Sequence, residues 1–264
     1  MRQSGFTLVE LILTIAVTAI LATISVQFIR SSSEGFVDSA GRQQLASAGY
    51  VVNEQISRAL RDALPGSIRT TADQRCIEYM PVIAASTYTD LTIGSAITQF
   101  QAVPYSQTQA ASGYVSVYPL ASSNPYAQND PGPLTPDQGI VPAANGEVTV
   151  TLASGHTFPS DSPERRFFIS TAPEAICQDG AYLYRYRGYG FISNVGSLQS
   201  SLPSTQATGR DVLAYPLTEN SMVFRYQTPS LARNGLVVFA YELQHPVTNE
   251  VLRLSQQVRV VNVP

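Results

Sequence analysis

Residues 5–29 read GFTLVELILTIAVTAILATISVQFI, and this stretch decides the fold. Its last 24 residues form one apolar segment that is broken only by the charge of Glu10. As an α-helix these residues would extend for roughly 36 Å, whereas the hydrocarbon core of a bilayer is about 30 Å thick. Arg2 lies on one flank of the segment and Arg30 on the other. The sequence therefore predicts an N-terminal helix that is long enough to span a membrane.

A cleaved secretory signal peptide and an uncleaved signal anchor are the alternatives for this segment. A secretory signal has a shorter apolar region, which is followed by a small-residue cleavage site. Here the apolar region is longer, and the small residue Gly5 precedes it. Several Ala residues and a Ser lie within residues 16–25, so a cut at that point stays open as an alternative.

The composition excludes several classes of protein. Only 13% of the 264 residues are charged, whereas an average domain carries about 25%. All 16 basic residues are Arg, and the net charge of −3 excludes a basic nucleic-acid footprint spread over the whole chain. Two Cys exclude a cysteine-built zinc cluster, and two His argue against a metalloenzyme. No G-x-S-x-G, H-E-x-x-H or P-loop motif is present, so we expect no catalytic residue, no metal and no cofactor.

Glu10 is the informative residue of the apolar segment. An ionised carboxylate inside a membrane-spanning helix costs several kcal/mol unless it is paired, so it either meets water at the interface or has a function. The string GFTLVEL, followed by a long apolar run, resembles the signal of type IV prepilins. The resemblance rests on a short leader that ends in Gly5, on the aromatic residue Phe6 after it, and on the acid four residues later.

The resemblance to type IV pilins implies a processing route. A prepilin peptidase would cleave between Gly5 and Phe6, remove residues 1–5 and methylate the new amino group of Phe6. Residues 6–29 would remain as a single-pass anchor in the inner membrane, with the N-terminus cytoplasmic and the head periplasmic. After assembly the protein would lie in an extracellular pilus or a periplasmic filament. The implied partners are prepilin peptidase, other major and minor pilins, the inner-membrane assembly platform and membrane lipid.

The same resemblance gives Glu10 a role in assembly. In such filaments its carboxylate would meet the amino-terminal charge of a neighbouring subunit and guide docking. Opposite charges that are buried together attract strongly, whereas either one alone is penalised. The chain departs from many major pilins in one respect, because it has no helix-loosening Pro before Pro65.

Residues 30–64 continue the helical pattern as an amphipathic half. Apolar residues recur every three or four positions and form one stripe, at Leu45, Ala48, Val52, Ile56, Ala59 and Ala63. Gly35, Gly41 and Gly49 are expected to weaken this half of the helix. The dipeptide Pro65-Gly66 is expected to end it.

Residues 65–264 are predicted to form a β-rich globular head. Alternating apolar and polar residues predict strands, at 147–152, 182–187, 221–226, and as a terminal hairpin at 236–243 and 250–263. A long helix packed on an antiparallel sheet is an α+β fold, here of the type IV pilin-like kind. Residues 122–146 are rich in Pro, Asn, Asp and Gly and predict a long surface loop.

Cys76 and Cys177 are the two cysteines of the chain. The pilin topology places the head outside the cytoplasm, and two Cys in an oxidising compartment most often form one disulfide. We therefore expect a Cys76–Cys177 bond, with intermolecular bridging as the alternative.

The segment AYLYRYRGYGF interleaves Tyr with Arg. On a strand, Tyr182, Tyr184 and Tyr186 would share one face, while Arg185 and Arg187 would lie on the other. One interpretation is a stacking surface for a glycan or for single-stranded DNA. The other is an ordinary strand whose Tyr rings build the core, in which case no nucleic acid is expected as a partner.

The charges are unevenly distributed along the head. Residues 76–164 contain seven acids and no Arg, whereas residues 165–264 contain nine Arg and six acids. Opposite patches could meet head to tail in a filament, or they could pair within the fold. Asp130 and Asp137 do not lie in the D-x-D-x-D pattern of a calcium loop.

A second resemblance covers most of the chain. The runs GYVVNEQISRALRDALPGSI, RCIEYMPVI and ICQDGAYLYRYRGYGF resemble the larger minor pilins of the mannose-sensitive haemagglutinin (MSHA) pilus system. This resemblance implies a minor pilin that initiates or caps an adhesive or motility pilus. The alternatives are a tip pseudopilin of type II secretion, a ligand-binding adhesin pilin that uses the Tyr/Arg strand, and an enzyme held by a signal anchor.

Overall fold

The computed structural model describes residues 7–120, 124–229 and 233–260. One helix, α1 (Leu8–Arg61), runs from the apolar segment into the head. Its first turn is capped by Thr7, whose Oγ1 accepts a hydrogen bond from the backbone N–H of Glu10 at 3.3 Å. Asp62 is the C-cap, so the helix ends slightly before the predicted limit at Leu64.

The described part of the head contains fourteen strands. In chain order they are β1 (Arg69–Thr70), β2 (Cys76–Tyr79), β3 (Val82–Asp90), β4 (Ile97–Ala102), β5 (Ala111–Val117), β6 (Leu134–Val141), β7 (Val148–His156), β8 (Arg166–Ser170), β9 (Glu174–Asp179), β10 (Tyr182–Tyr186), β11 (Arg210–Ala214), β12 (Val223–Gln227), β13 (Gly235–Gln244) and β14 (Val251–Val260). A short helix, α2 (Leu198–Ser201), lies between β10 and β11.

Two antiparallel sheets pack against the second half of α1. One has the strand order β1-β2-β9-β10-β11, and the other has the order β12-β13-β14. The predicted terminal hairpin is confirmed, because β13 and β14 pair over ten residues each. The apolar face of β14 packs on α1 and its polar face is exposed, as the alternation predicts. The chain therefore has the expected α+β fold, with a long N-terminal helix on antiparallel sheets.

A closed barrel is inserted between β2 and β9. Its six strands pair in the order β3-β4-β7-β6-β5-β8. The barrel was not predicted, and the expectation of one long loop over residues 122–146 is wrong, because β6 occupies residues 134–141. The Pro- and Gly-rich composition belongs to the turns around this strand and to the strand itself. Close packing requires a glycine at position 139 of β6, because a Cβ there would lie 2.6 Å from a methyl group of Val115.

The described residues of the protein contain two large hydrophobic cores and two smaller clusters. One joins α1 to the two sheets and includes Ile56, Phe224 and Phe239. The other fills the barrel and includes Phe100 and Phe167, whose rings meet edge to face at 5.3 Å. A smaller cluster lies at the junction, where residues from the end of α1 meet residues from the barrel: Leu64, Met80, Tyr126 and Leu134.

Candidate functional site

The N-terminal half of α1 is an apolar surface that nothing in the described residues covers. Its large apolar side chains, from Leu8 to Ile29, are 48% to 75% exposed. By length and composition, α1 is the one described helix that could span a membrane. An apolar surface of this size indicates contact with lipid or with another protein.

Glu10 lies in the first turn of this helix and is exposed. Within the described ranges its carboxylate forms no ion pair. The predicted cleavage and methylation residues, Gly5 and Phe6, lie outside the described residues.

The second half of α1 is held on the sheet by a stripe of small and apolar residues. The buried positions are Gly41, Leu45, Gly49, Val52, Ile56, Ser57 and Leu60. The predicted stripe is thus confirmed at Leu45, Val52, Ile56 and Ala63, which are buried, and Ala59 packs against the same core. Ala48 is exposed, and its place is taken by Gly49.

Gly49 brings α1 and β14 close together. A Cβ at Gly49 would lie 2.3 Å from Cδ1 of Leu254, and its carbonyl accepts a hydrogen bond from the Tyr241 hydroxyl at 3.1 Å. The low helix propensity of glycine predicts that Gly49 weakens the helix. In the structure, the lack of a side chain at Gly49 allows the close contact between helix and sheet.

Cys76 and Cys177 form a disulfide that joins β2 to β9. The two residues are partners in the register of these strands, and both are buried. The bond closes a loop that contains the whole barrel. It therefore stabilises the sheet at the position from which the inserted barrel departs.

The Tyr/Arg segment forms β10, and its residues alternate between faces as predicted. Tyr184 and Tyr186 are buried, and burial raises the pKa of Tyr186 to about 12. Arg210 lies over the ring of Tyr184 at 4.3 Å. Tyr182 remains open to solvent and stacks on Tyr215 at 4.4 Å. The available stacking surface is therefore this pair, and not the three rings of the strand.

The two arginines of the segment already have partners. The side chain of Arg185 is half-buried on the opposite face of β10, and its Nε lies 4.0 Å from Glu174 Oε2. Arg187 is exposed and forms an ion pair with Asp211. Both are therefore held within the sheet, with Arg187 the more accessible to a ligand.

A buried ion pair that no sequence pattern predicts connects β1 to β2. Glu78 is fully buried, and its carboxylate accepts hydrogen bonds from Arg69 Nε at 2.6 Å and from the Tyr189 hydroxyl at 3.0 Å. The guanidinium of Arg69 also lies 3.6 Å from the ring centre of Tyr126. Burial raises the pKa of Glu78, and the charge of Arg69 acts against this rise. Arg69 and Glu78 lie in no recognisable motif, so the sequence does not predict this network.

The acids of the first half of the head lie mainly on the barrel. Asp130 accepts a hydrogen bond from the backbone N–H of Thr157 at 2.9 Å, and Asp137 accepts one from the Ser154 hydroxyl at 2.7 Å. Among the described residues, no group of three or more His, Cys, Asp or Glu is placed to hold a metal ion. Four arginines of the second half of the head pair with acids that lie outside the barrel: Arg185, Arg187, Arg210 and Arg253. These arginines therefore do not pair with the acids of the barrel that the structure describes.

The comparison with protein families gives one match. Residues 1–26 match the family model described as the prokaryotic N-terminal methylation motif. A search of curated proteins and a search of solved structures found no match. The matched residues include the predicted leader, Phe6 and Glu10. The motif implies processing by prepilin peptidase and assembly with other pilins. Together with the uncovered apolar helix that follows, it supports a membrane-anchored subunit of the type IV pilin or pseudopilin kind.

Proposed function

We propose that this chain is a minor pilin that initiates or caps a type IV pilus of the MSHA-like kind. The observation that carries the proposal is the prepilin motif at residues 1–26, followed directly by a helix whose apolar half is uncovered. The size of the head supports a specialised subunit, because it adds a closed barrel to the helix and sheets. The protein acts as a structural subunit and not as an enzyme.

The proposed mechanism uses residues of the N-terminal segment. Cleavage between Gly5 and Phe6 creates a new amino group, and the helix remains in the inner membrane. Glu10 then pairs with the amino-terminal charge of a neighbouring subunit, because two opposite charges in apolar surroundings are less costly together than apart. The uncovered side chains of α1 pack against the helices of other subunits as the filament forms.

The test of this mechanism is Glu10→Ala, with processing and incorporation measured separately. We expect the leader to be removed normally, while the amount of the protein in sheared filaments falls strongly. Glu34→Ala is the matched control, since Glu34 is an exposed acid of the same helix that pairs with Arg30 at 2.9 Å. Wild-type incorporation of Glu10→Ala would show that the acid does not guide assembly.

The rival function of the same kind is a tip pseudopilin of type II secretion. The pilus and the secretion filament are both built from subunits with an anchored N-terminal helix. Only the partner proteins therefore distinguish the two functions. Co-purification of the intact membrane complex, with its pilins identified by mass spectrometry, decides between them. Recovery of secretion pseudopilins instead of pilus subunits would exclude the MSHA-like assignment.

A ligand-binding role is favoured only by the exposed pair Tyr182 and Tyr215. If this surface binds a glycan or DNA, Tyr182→Ala combined with Tyr215→Ala should abolish binding and leave assembly unchanged. Unchanged binding would reject the role. An enzyme with a signal anchor predicts instead that the mature protein begins at Met1, which N-terminal sequencing determines.

A further inference from the structure

Strand β14 has a free edge. It pairs with β13 over residues 251–260 and is the last strand of its sheet. In the part of the chain that the structure describes, no backbone group pairs with its other side. A free edge presents a row of unpaired N–H and C=O groups, which is a template for another strand.

This edge borders a groove of about 380 Å³ between β14 and α1. The groove is lined by Tyr50, Asn53, Glu54, Ser57 and Arg61 of the helix and by four consecutive residues of the strand, 256–259. Successive residues of a strand point to opposite faces. A groove that contacts four in a row therefore follows the backbone edge of the strand and not one of its faces.

The groove contains a buried hydroxyl group without a partner. Ser57 is 5% exposed, and its Oγ forms no hydrogen bond with any described residue. Buried polar side chains in native proteins usually have a partner. The Ser57 hydroxyl is therefore an unsatisfied group at the wall of the groove, available to a polar group of a bound molecule.

The charge of the groove indicates the kind of partner. Arg259 is exposed and forms no ion pair within the described residues. Arg61 lies 3.8 Å from Glu54, but the other oxygen of this carboxylate binds Arg58 at 3.1 Å. One acid is therefore shared by two arginines, and the groove has an excess of positive charge.

A second copy of this chain fits the edge poorly. Antiparallel pairing of two β14 strands about Gln256 would bring Arg253 of one copy opposite Arg259 of the other. Like charges directly opposite each other destabilise a strand pair. An acidic strand from a different polypeptide would instead neutralise Arg259.

We propose that the groove between α1 and β14 binds an extended, acidic segment of a different polypeptide. The segment adds to β14 as the fourth strand of the β12-β13-β14 sheet. Its backbone pairs with the free edge, a polar group bonds to Ser57 Oγ, and a carboxylate pairs with Arg259. The proposal rests on the second half of α1 and on β14, so it does not depend on the assembly role of Glu10.

The first test measures the binding of labelled ten-residue peptides to the full chain in detergent. The probes alternate Thr with Val and carry either two Glu or two Lys at their centre. We expect the Glu peptide to bind at least tenfold more tightly and to slow amide hydrogen exchange in β14. Equal binding of the two peptides, no binding of either, or protection elsewhere would overturn the proposal.

Charge variants test whether peptide binding depends on the groove or on the charge of the whole strand. Arg259→Gln should weaken binding of the Glu peptide about tenfold, which corresponds to 1.4 kcal/mol. Arg253→Gln is the matched control, because Arg253 lies on the same strand, outside the groove, and pairs with Glu242 at 2.8 Å. An equal effect of the two variants would show that general charge, and not the groove, attracts the peptide.

Proline variants test the pairing of the backbone. N–H groups of an antiparallel strand point alternately to its partner and to its free side. Of Gln256→Pro and Gln257→Pro, one should therefore lower stability, and the other should fold normally but lose the peptide. Normal binding by the variant that folds would exclude strand addition. Cross-linking of two copies through β14 would identify a second copy as the occupant and contradict the proposal.

Discussion

The helix-bearing sheets and the inserted barrel are both antiparallel, but they differ in their edges. The six barrel strands close on one another, so the barrel has no free edge in the described residues. The three-stranded sheet is open and ends at β14. A closed barrel can offer a partner only side chains and loops, whereas an open sheet can also offer backbone groups. The difference shows that one head can carry a surface protected against strand addition and another that is open to it.

The two regions also differ in what holds them together. The sheets are joined to α1 by a core that extends from Leu45 to Val260, and a disulfide joins β2 to β9 within one sheet. The barrel has only its own core and the junction around Leu64 and Met80. We therefore expect the two regions to unfold in separate steps, and four predictions test this comparison.

The largest effect is expected from Cys76→Ser combined with Cys177→Ser. The disulfide closes a loop with a sequence separation of 101 residues. Its loss should lower the free energy of unfolding of the sheet region by about 4 kcal/mol, mainly because the unfolded chain gains entropy. Urea unfolding monitored by hydrogen exchange measures both regions in one experiment. A larger loss in the barrel than in the sheets would contradict the comparison.

Phenylalanine truncation tests whether the cores are independent. Phe239→Ala in the sheet core and Phe167→Ala in the barrel core should each cost about 3 to 4 kcal/mol, because both side chains are fully buried. We expect each variant to lower only the transition of its own region. A single transition that shifts equally in both variants would show that the head is one cooperative unit.

The buried ion pair gives a prediction that depends on pH. Arg69→Met leaves Glu78 buried without its cation and should cost about 3 kcal/mol at pH 7. The variant raises the pKa of Glu78 further, so the folded state keeps its proton to a higher pH than the unfolded chain does. Stability then falls as the pH rises through this pKa, and the loss should be smaller near pH 4.

The control for this variant is Arg253→Met. Its exposed pair with Glu242 should contribute less than about 1 kcal/mol. Denaturation curves at pH 4 and pH 7 provide the measurement. A loss for Arg69→Met that is equal at both pH values would show that the contacts of Arg69 matter and the charge of Glu78 does not.

The smallest effect is expected from alanine substitutions at two glycines of α1. Gly35→Ala should stabilise the helix by up to about 1 kcal/mol, since no atom lies within 4 Å of the added Cβ. Gly49→Ala should lose this gain, because the Cβ would meet Leu254 at 2.3 Å. Thermal unfolding in detergent measures both variants. Equal stabilisation by both would mean that the Leu254 side chain moves aside at little cost.

The sequence predicts the helix and the terminal hairpin because their signals are local. The apolar run and the stripe through Val52 and Ile56 follow the helical period, and β14 alternates along its whole length. The barrel could not be predicted in this way. Alternation shows which face of a short strand is buried, but it does not say that β5 pairs with β8, which lies about fifty residues later.

The site was predictable only where residue type restricts the choice. Two cysteines leave one intramolecular pairing, and the alternation of β10 places its Tyr residues on one face. The Arg69–Glu78 pair and the unpartnered Ser57 depend on contacts between distant elements, and neither residue lies in a motif. The free edge of β14 likewise follows from the strand order, which no local pattern contains.

The position of the barrel has a consequence for how this head can diversify. The chain leaves the sheet after Tyr79 and returns at Glu174, and these two residues are partners in the same ladder. A short turn could join them without shifting the register of β2 and β9, at the cost of uncovering Leu64. The inserted unit is therefore exchangeable as a cassette. Its loops can lengthen or change sequence during evolution while the helix, the disulfide and the edge of β14 stay in place.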